Sequence, residues 1–447
     1  MVIFTGIRVS SRPSIQRPPK NRSHYRLSNA AKTTSPFRAS TPQQHVLVAK
    51  FGGTSLANAR RISRAAKAVA DEYARGTQIV VVVSAVGRTT DRLLELTNRT
   101  RNIVGNDRDD VLAMGERTSA RIFAASLKTL GIQVRYFDPS DKDWPIITDD
   151  NFSQANPLRR KCAARIRRYV APLLAEGIVS VVAGFIGRTQ DGRVSTLGRG
   201  GSDTTALILA EALKADEVVL VTDSPGVMTG DPKLIHQPRL IKRIRMQTLS
   251  RMADSGSKFI HQKALRFKDP SIDIRVISHR LGNLRAPGTI ITGEPVPELE
   301  VRIHNPHPVA SVTLVGKSLS KNPTLMTQVT KIVRRNLEAV SEDDNSVILY
   351  LRENRTLKKK IGLLHKAVLD CPGGVAVAAR TGTTLIAVKG VGLEETPGIT
   401  ARITEALRVN NINIFGILTI SSSVLVLVAW KERQRAARLI QQSLEPN

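Results

Sequence analysis

Arg199-Gly200-Gly201-Ser202-Asp203-Thr204-Thr205 lies between two apolar runs, and the reading of this stretch decides the fold. Val179 to Phe185 reads as a buried strand, and Ala206 to Ala215 as the body of a helix. Adjacent glycines at a helix start leave backbone N–H groups uncovered, which suits a bound anion. Arg199 and Asp203 flank them, so one loop offers both a fixed positive charge and a carboxylate. Taken by itself, the stretch reads equally as a polar loop needing positive φ, because Gly-Gly is ordinary turn punctuation.

Two further loops of the same character change that balance. Lys50-Phe51-Gly52-Gly53-Thr54-Ser55 directly follows the strand-like run Val46 to Ala49. Behind it, Ala59 to Tyr73 places Ile62, Ala65, Ala66 and Val69 at helical spacing. The lysine precedes the glycines, so this is not a Walker A loop. Lys50 is expected to reach over the loop towards a phosphate held by the Gly52 and Gly53 amides. The third loop, Thr222 to Met228, follows the apolar strand Val218 to Val221, and Pro225-Gly226 marks its turn. Asp223 there suits a ribose hydroxyl or an adenine amine. Three loops after β-branched runs put ligands at the carboxyl ends of parallel strands, where open α/β sheets bind them.

The ordered motifs resemble those of the aspartate kinases, within the amino-acid kinase superfamily. They are Lys-Phe-Gly-Gly-Thr-Ser at 50–55, Ser-Ala-Val-Gly at 84–87, Thr-Thr-Asp at 89–91 and Gly-Glu-Arg at 115–117. Gly-Phe-Ile-Gly at 184–187, Thr-Leu-Gly-Arg-Gly-Gly-Ser-Asp at 196–203 and Thr-Asp-Ser-Pro-Gly-Val at 222–227 follow. Asp-Pro-Lys at 231–233 and Gly-Ser-Lys at 256–258 complete the set. The likeness runs from residue 46 to the C-terminus and is strongest over 46–290.

The resemblance implies transfer of the ATP γ-phosphoryl group to the β-carboxylate of L-aspartate. The product would be 4-phospho-L-aspartate, on the way to lysine, threonine and methionine. By the same resemblance, Lys50 and Lys258 contact the ATP phosphates, Gly52 and Gly53 cradle them, and Asp203 orients Lys50 and the reacting groups. Arg199 would clamp the α-carboxylate of aspartate and Glu116 would receive its ammonium, with Ser84 and Thr90 hydrogen-bonding the substrate. Thr222 and Asp223 fall on the adenosine side, with Met228 and Lys233 nearby. Mg²⁺ would be held mainly by the nucleotide phosphates rather than by a protein metal site. Each residue also has a bland reading: Glu116-Arg117 as a solvated helix pair, Lys258 as a surface lysine, Thr90 as a helix cap. The chain departs from the pattern at Met228, where an aromatic often stands, and at Lys233, where arginine is common. It departs again at Gln262, which replaces a proline.

The fold class expected is α/β, an amino-acid kinase-like sandwich with a mostly parallel sheet over 46–293. The Pro-containing stretch 293–298 reads as a linker. Residues 299–447 repeat a smaller theme, which is similar to two tandem ACT modules of α+β (βαββαβ) type. Its first strand is Val309 to Val315, its first helix Thr324 to Leu337, and its second unit opens at Pro397-Gly398. In the family such modules bind an end-product amino acid, commonly across a dimer interface, so a homodimer or higher homo-oligomer is expected. Gly316 to Thr324 stands where a Pro-Gly-Ile loop is usual, and Leu418-Thr-Ile-Ser421 where a Ser-Thr-Ser-Glu run is typical. Weak or absent feedback inhibition is therefore expected.

At 447 residues the chain has room for two or three domains. Its two cysteines, Cys162 and Cys371, make neither a disulfide framework nor a metal site. The apolar runs are far shorter than a membrane span. A net charge of +29 invites a nucleic-acid reading, yet no finger, RNP-like or helix-turn-helix pattern accompanies it and aromatics are 4%. A basic cleft also draws an anionic nucleotide and a dicarboxylate. Residues 1–45 carry Arg8, Arg12, Arg17, Lys20, Arg22, Arg26, Lys32 and Arg38 and no acid. They resemble an organelle transit peptide in composition, with a plastid as the alternative location. The compact core of bacterial style favours instead a disordered bacterial extension, or a start codon placed too far upstream, on a cytoplasmic enzyme. The rival functions are another superfamily kinase, or a catalytically silent regulatory subunit. Lys50, Asp203 and Lys258 together argue against silence.

Overall fold

A computed structural model describes residues 45–100, 103–253, 260, 262–295, 299–390, 393, 397–420 and 423–445. β1 (Val46–Phe51) and β2 (Gln78–Val83) pair in parallel across the intervening α1 (Ala59–Tyr73). α1 starts where the Asn58 side chain accepts the Arg61 N–H, a cap that fixes its first turn. Next come α2 (Thr89–Arg99), α3 (Gly105–Lys128), β3 (Val134–Phe137), α4 (Arg159–Tyr169), α5 (Ala171–Ala175) and β4 (Val179–Ala183). A separate hairpin of β5 (Ile186–Arg188) and β6 (Val194–Thr196) then leads into α6 (Gly201–Leu213). β7 (Glu217–Thr222), β8 (Arg243–Arg245), α7 (Met246–Ala253), α8 (Gln262–Leu265), β9 (Asp273–Ser278) and β10 (Thr289–Thr292) finish this part.

The main sheet runs β3-β4-β2-β1-β7-β9-β10-β8. The β9–β10 pair is antiparallel and every other pair in it is parallel. β2 is buried from Ile79 to Val83 and β4 along its whole length, as strands covered on both faces must be. α1 packs on α3, and α4 on α6, to supply that cover. β1 has β2 on one side and β7 on the other, so the strand order reverses at β1. The crevice beyond the carboxyl ends of β1 and β7 is where such a sheet receives its ligand.

The structure corrects the sequence reading of Val179 to Phe185. β4 stops at Ala183, because a Cβ on Gly184 would lie 2.6 Å from the Ser202 Cβ and Phe185 takes a φ of 69°. The stretch 199–205 therefore follows the β5–β6 hairpin rather than a strand of the main sheet, and its helix already begins at Gly201. At the far end of α1, Glu72 is 2% exposed and accepts from Arg285, Thr77 and Arg75. Burial alone would raise its pKa, but these donors outweigh it and hold the carboxyl at about 2.

The chain divides into two compact units, one of residues 309–381 and the other containing 44–308 and 382–447. β11 (Glu300–Ile303) precedes the smaller unit in sequence. In that unit β14 (Ser346–Arg352) lies antiparallel between β12 (Val309–Gly316) and β13 (Leu337–Glu342). α9 (Pro323–Val333) packs against α10 (Leu357–Leu369). α9 ends four residues short of Leu337, which instead opens β13. β15 (Gly374–Lys389) begins in the smaller unit and ends in the larger one. Its later residues run between β11 and β17 (Ser423–Ala429), with β16 (Gly416–Ile420) beyond. α11 (Ile399–Arg408) and α12 (Arg433–Leu444) pack together there. The two small modules are thus nested rather than consecutive: β11, which belongs with the second, is made before the first. Among the described residues no helix is long and apolar enough to cross a membrane.

Candidate active site

Lys50 is the penultimate residue of β1, and its Nζ lies 2.6 Å from Asp203 Oδ1. Both side chains are sheltered, at 15% and 12% exposure. Asp203 sits in the first turn of α6, where the uncovered amides favour a carboxylate. Gly200 caps that helix at a φ of 75°, in the left-handed region that favours glycine. The decisive stretch of sequence and the first glycine loop therefore meet as an ion pair at the switch point.

The glycine loop itself departs from expectation. The Gly52 N–H donates to the Val221 carbonyl at 3.1 Å, tying the loop to β7. Of the two amides expected to cradle a phosphate, only that of Gly53 is left to do so. Gly53 must also be glycine. A Cβ there would stand 2.7 Å from the Gly87 carbonyl oxygen and 2.9 Å from that of Ala85. The segment 84–87 thus crosses directly over the loop, and the Gly87 N–H donates to the Gly53 carbonyl at 3.0 Å.

α3 brings in Glu116, which is 3% exposed. Gly115 permits this approach, since a Cβ there would come within 2.9 Å of the Ala85 Cβ. The Thr90 hydroxyl donates to Glu116 Oε1 at 3.3 Å. Burial pushes the Glu116 pKa up to about 7, against the Ala85 N–H, the Thr90 hydroxyl and the charge of Lys50. Among the described residues no cation forms an ion pair with it. Its neighbour Arg117 turns to Asp138, at 2.9 Å, so the two do not form a solvated pair. Thr90 spends its hydroxyl on Glu116 rather than on capping α2.

The Ser84 hydroxyl donates to Ser202 Oγ at 3.0 Å, beside Asp203. Lys50 is joined to Asp203 by the ion pair and to Glu116 by its charge, and Thr90 to Glu116 by a hydrogen bond, while Ser84 reaches the group only through Ser202. Ser202 enters this group although the sequence offered it only as a motif letter. Arg199 is exposed on the approach to α6, with no ion pair or hydrogen bond among the described residues. Thr222 ends β7 and donates its hydroxyl to Asp223 Oδ1 at 3.2 Å. Met228 is half-buried and bridges to Leu240, while Lys233 is exposed, its N–H held by the Asp231 carboxylate. No described contact links Met228 or Lys233 to Lys50. Lys258 lies outside the described residues, as do the side chain of Gln262 and all of residues 1–44. Among the described residues no group of three or more His, Cys, Asp or Glu could hold a metal ion.

The Amino acid kinase family matches residues 45–278, and an ACT domain matches residues 379–442. An aspartokinase of Geobacillus stearothermophilus is 33% identical over 387 residues, covering 83% of this chain and 89% of that one. An aspartokinase of Corynebacterium glutamicum is 30% identical over 419 residues, covering 90% and 96%. Among solved structures, aspartate kinase from Synechocystis superposes with a TM-score of 0.71 at 25% identity, covering 90% of this chain and 70% of that one. Aspartokinase III of E. coli, in complex with aspartate and ADP, gives a TM-score of 0.51 at 25% identity, covering 90% and 100%. The parallel sheet, its glycine loops and this near full-length kinship lead to one assignment: the chain belongs to the aspartokinases, ATP-dependent kinases of the amino acid kinase family.

Proposed function

We propose that the enzyme transfers the γ-phosphoryl group of ATP to the β-carboxylate of L-aspartate, yielding 4-phospho-L-aspartate and ADP. This is the entry to lysine, threonine and methionine synthesis. The observation that carries the reading is Glu116, a buried carboxylate with a hydroxyl and an amide donor but no described cation, which suits an α-ammonium group. The Arg199 fork, free of partners in the described residues, takes the α-carboxylate. The β-carboxylate is already ionised, so its attack on phosphorus needs no strong general base, and ADP leaves in line. Lys50, held by Asp203, neutralises charge growing on the phosphoryl oxygens, and the Gly53 amide assists. Ser84 and Thr90 orient the substrate; Thr222 and Asp223 receive the adenosine. Lys258 completes the phosphate contacts by resemblance. Mg²⁺ would arrive with the nucleotide, held mainly by its phosphates, since Asp203 is committed to Lys50. The assembled Lys50–Asp203 pair favours a working kinase over a silent regulatory subunit.

A hydroxamate assay across a panel of acidic amino acids tests this. Aspartate should be the substrate turned over best. Arg199→Lys should raise the aspartate KM about tenfold with little change for ATP, because lysine lacks the planar fork. A weakened ATP site with aspartate untouched would put Arg199 on the nucleotide side.

The catalytic domain is taken as 46–293 and the regulatory region as 299–447, in a cytoplasmic enzyme, as the bacterial relatives favour. A homodimer is supported by β15, whose early residues Val375, Ala376, Ala378 and Ala379 are exposed on a strand of the smaller unit. In that unit the loop opening at Gly316 is already closed, with the Lys317 N–H on the Gly373 carbonyl and the Asn322 amide on Cys371 Sγ. In the second module Gly398 opens α11, but Ser421 lies outside the described residues. Lysine or threonine should therefore inhibit weakly or not at all at millimolar concentration. Sedimentation should give a dimer. Inhibition at tens of micromolar, or a monomer, would refute the respective claim.

A further inference from the structure

Asp109 is fully buried on α3, at 0% exposure. Its Oδ2 accepts the Ser153 N–H at 2.8 Å and the Thr196 N–H at 2.7 Å, and its Oδ1 accepts the Ser153 hydroxyl at 2.9 Å. No cation pairs with it among the described residues. A carboxylate sunk in a core without a counter-charge is costly unless its oxygens are supplied with donors, and here three groups supply them. Two of those donors are backbone amides, so what the carboxylate fixes is the course of the main chain.

The segment it fixes is the one that carries Arg199. Thr196 ends β6, and only Leu197 and Gly198 separate it from Arg199. The root of this strap is held again by the Ala155 N–H on the Thr196 carbonyl, and by the Leu197 N–H on the Phe185 carbonyl, at 2.9 and 2.8 Å. Beyond Leu197, Gly198 and Gly200 take positive φ angles of 71° and 75°, which set the course of the main chain on either side of Arg199. Glu116 lies seven residues after Asp109. Seven residues are two turns, which puts both on one face of α3 about 10 Å apart along the axis.

We propose that Asp109 is a positioning residue that sets the distance between the α-ammonium and α-carboxylate subsites. One rigid helix bears the ammonium acceptor and, two turns away, the anchor for the strap that bears the carboxylate clamp. The inference rests on the reading of Glu116 and Arg199 as the two ends of the amino-acid site. It adds a residue that contacts neither substrate.

Asp109→Ala should raise the aspartate KM about tenfold, with kcat and the ATP KM within about twofold of wild type. Asp109→Asn should recover most of the loss. Its amide oxygen can take both N–H groups and its NH₂ can donate to the Ser153 hydroxyl, so charge is removed but the anchor is kept. Ser153→Ala removes one hydrogen bond from a surface loop and should raise the aspartate KM about threefold. That variant carries the test if the alanine at 109 does not fold. An aspartate KM unchanged in these variants, or an equal rise in both KM values, overturns the proposal. If Arg199→Lys raises the aspartate KM and the Asp109 and Ser153 variants leave it alone, the positioning role fails and the substrate reading stands. If the wild-type enzyme does not phosphorylate aspartate, both fall.

Discussion

Lys50→Ala lowers turnover at saturating substrate by about 10²–10³, the loss typical of a charge contact made chiefly in the transition state. The side chain enters the site from a strand buried on both faces, and its ammonium is fixed by Asp203 at 2.6 Å. On the proposed reading it needs no reorganisation when charge develops on the phosphoryl oxygens. Asp203→Asn retains the lysine but loosens its hold, and should cost less than removing the lysine itself. ADP release in a coupled assay, beside circular dichroism to show an intact fold, measures both. Near wild-type turnover of the alanine variant would remove Lys50 from the catalytic machinery.

Glu116→Gln lowers kcat/KM for aspartate by about 10², the usual scale for truncating one side of a desolvated charge pair. The pH profile identifies the cause. Burial raises the carboxyl to about 7, so below that pH the free enzyme holds Glu116 neutral and cannot receive an ammonium. Wild-type kcat/KM should fall about tenfold per pH unit below 7, and the glutamine variant should be flat there. Stability runs the other way. A carboxyl raised from its ordinary 4.5 to about 7 favours the native state most below pH 4.5, and that contribution is lost as pH rises through 7. Glutamine is neutral throughout, so the variant should melt higher than wild type at pH 8. A variant with the wild-type pH slope would show that another group sets it.

The central strands β1, β4 and β7 were legible because they are covered on both faces and so read as apolar runs, whereas β8, with Arg243 and Arg245 exposed, was not. α1 was legible to its exact bounds, because Asn58 caps it and its apolar residues keep helical period. The end of β4 was not. What stops it is Ser202, eighteen residues on, pressing against Gly184, and local propensity carries no trace of that contact. Gly52 and Gly53 looked interchangeable in sequence; what distinguishes them is Val221, which takes the Gly52 amide, and the 84–87 segment, whose carbonyls crowd Gly53. Asp109 was missed for a similar reason. In Asp107-Arg-Asp-Asp it reads as one more acid on a solvated helix, while its partners come from residues 153 and 196.

The nesting of the small modules sets an order of events during synthesis. β11 pairs with β15 through Glu300 opposite Lys389, so it leaves the ribosome about 90 residues ahead of its partner. At ordinary elongation rates, about 5–20 residues per second, it waits roughly 4–18 s with its backbone N–H and C=O groups unpaired. The unit at 309–381 has its own strands and helices and can close during that wait, whereas the second module cannot be completed until β15 and β17 emerge. A strand left open for that long is a template for pairing with another chain. β11 is short, and its four residues include Glu300 and Arg302, two charges that make it a poor one.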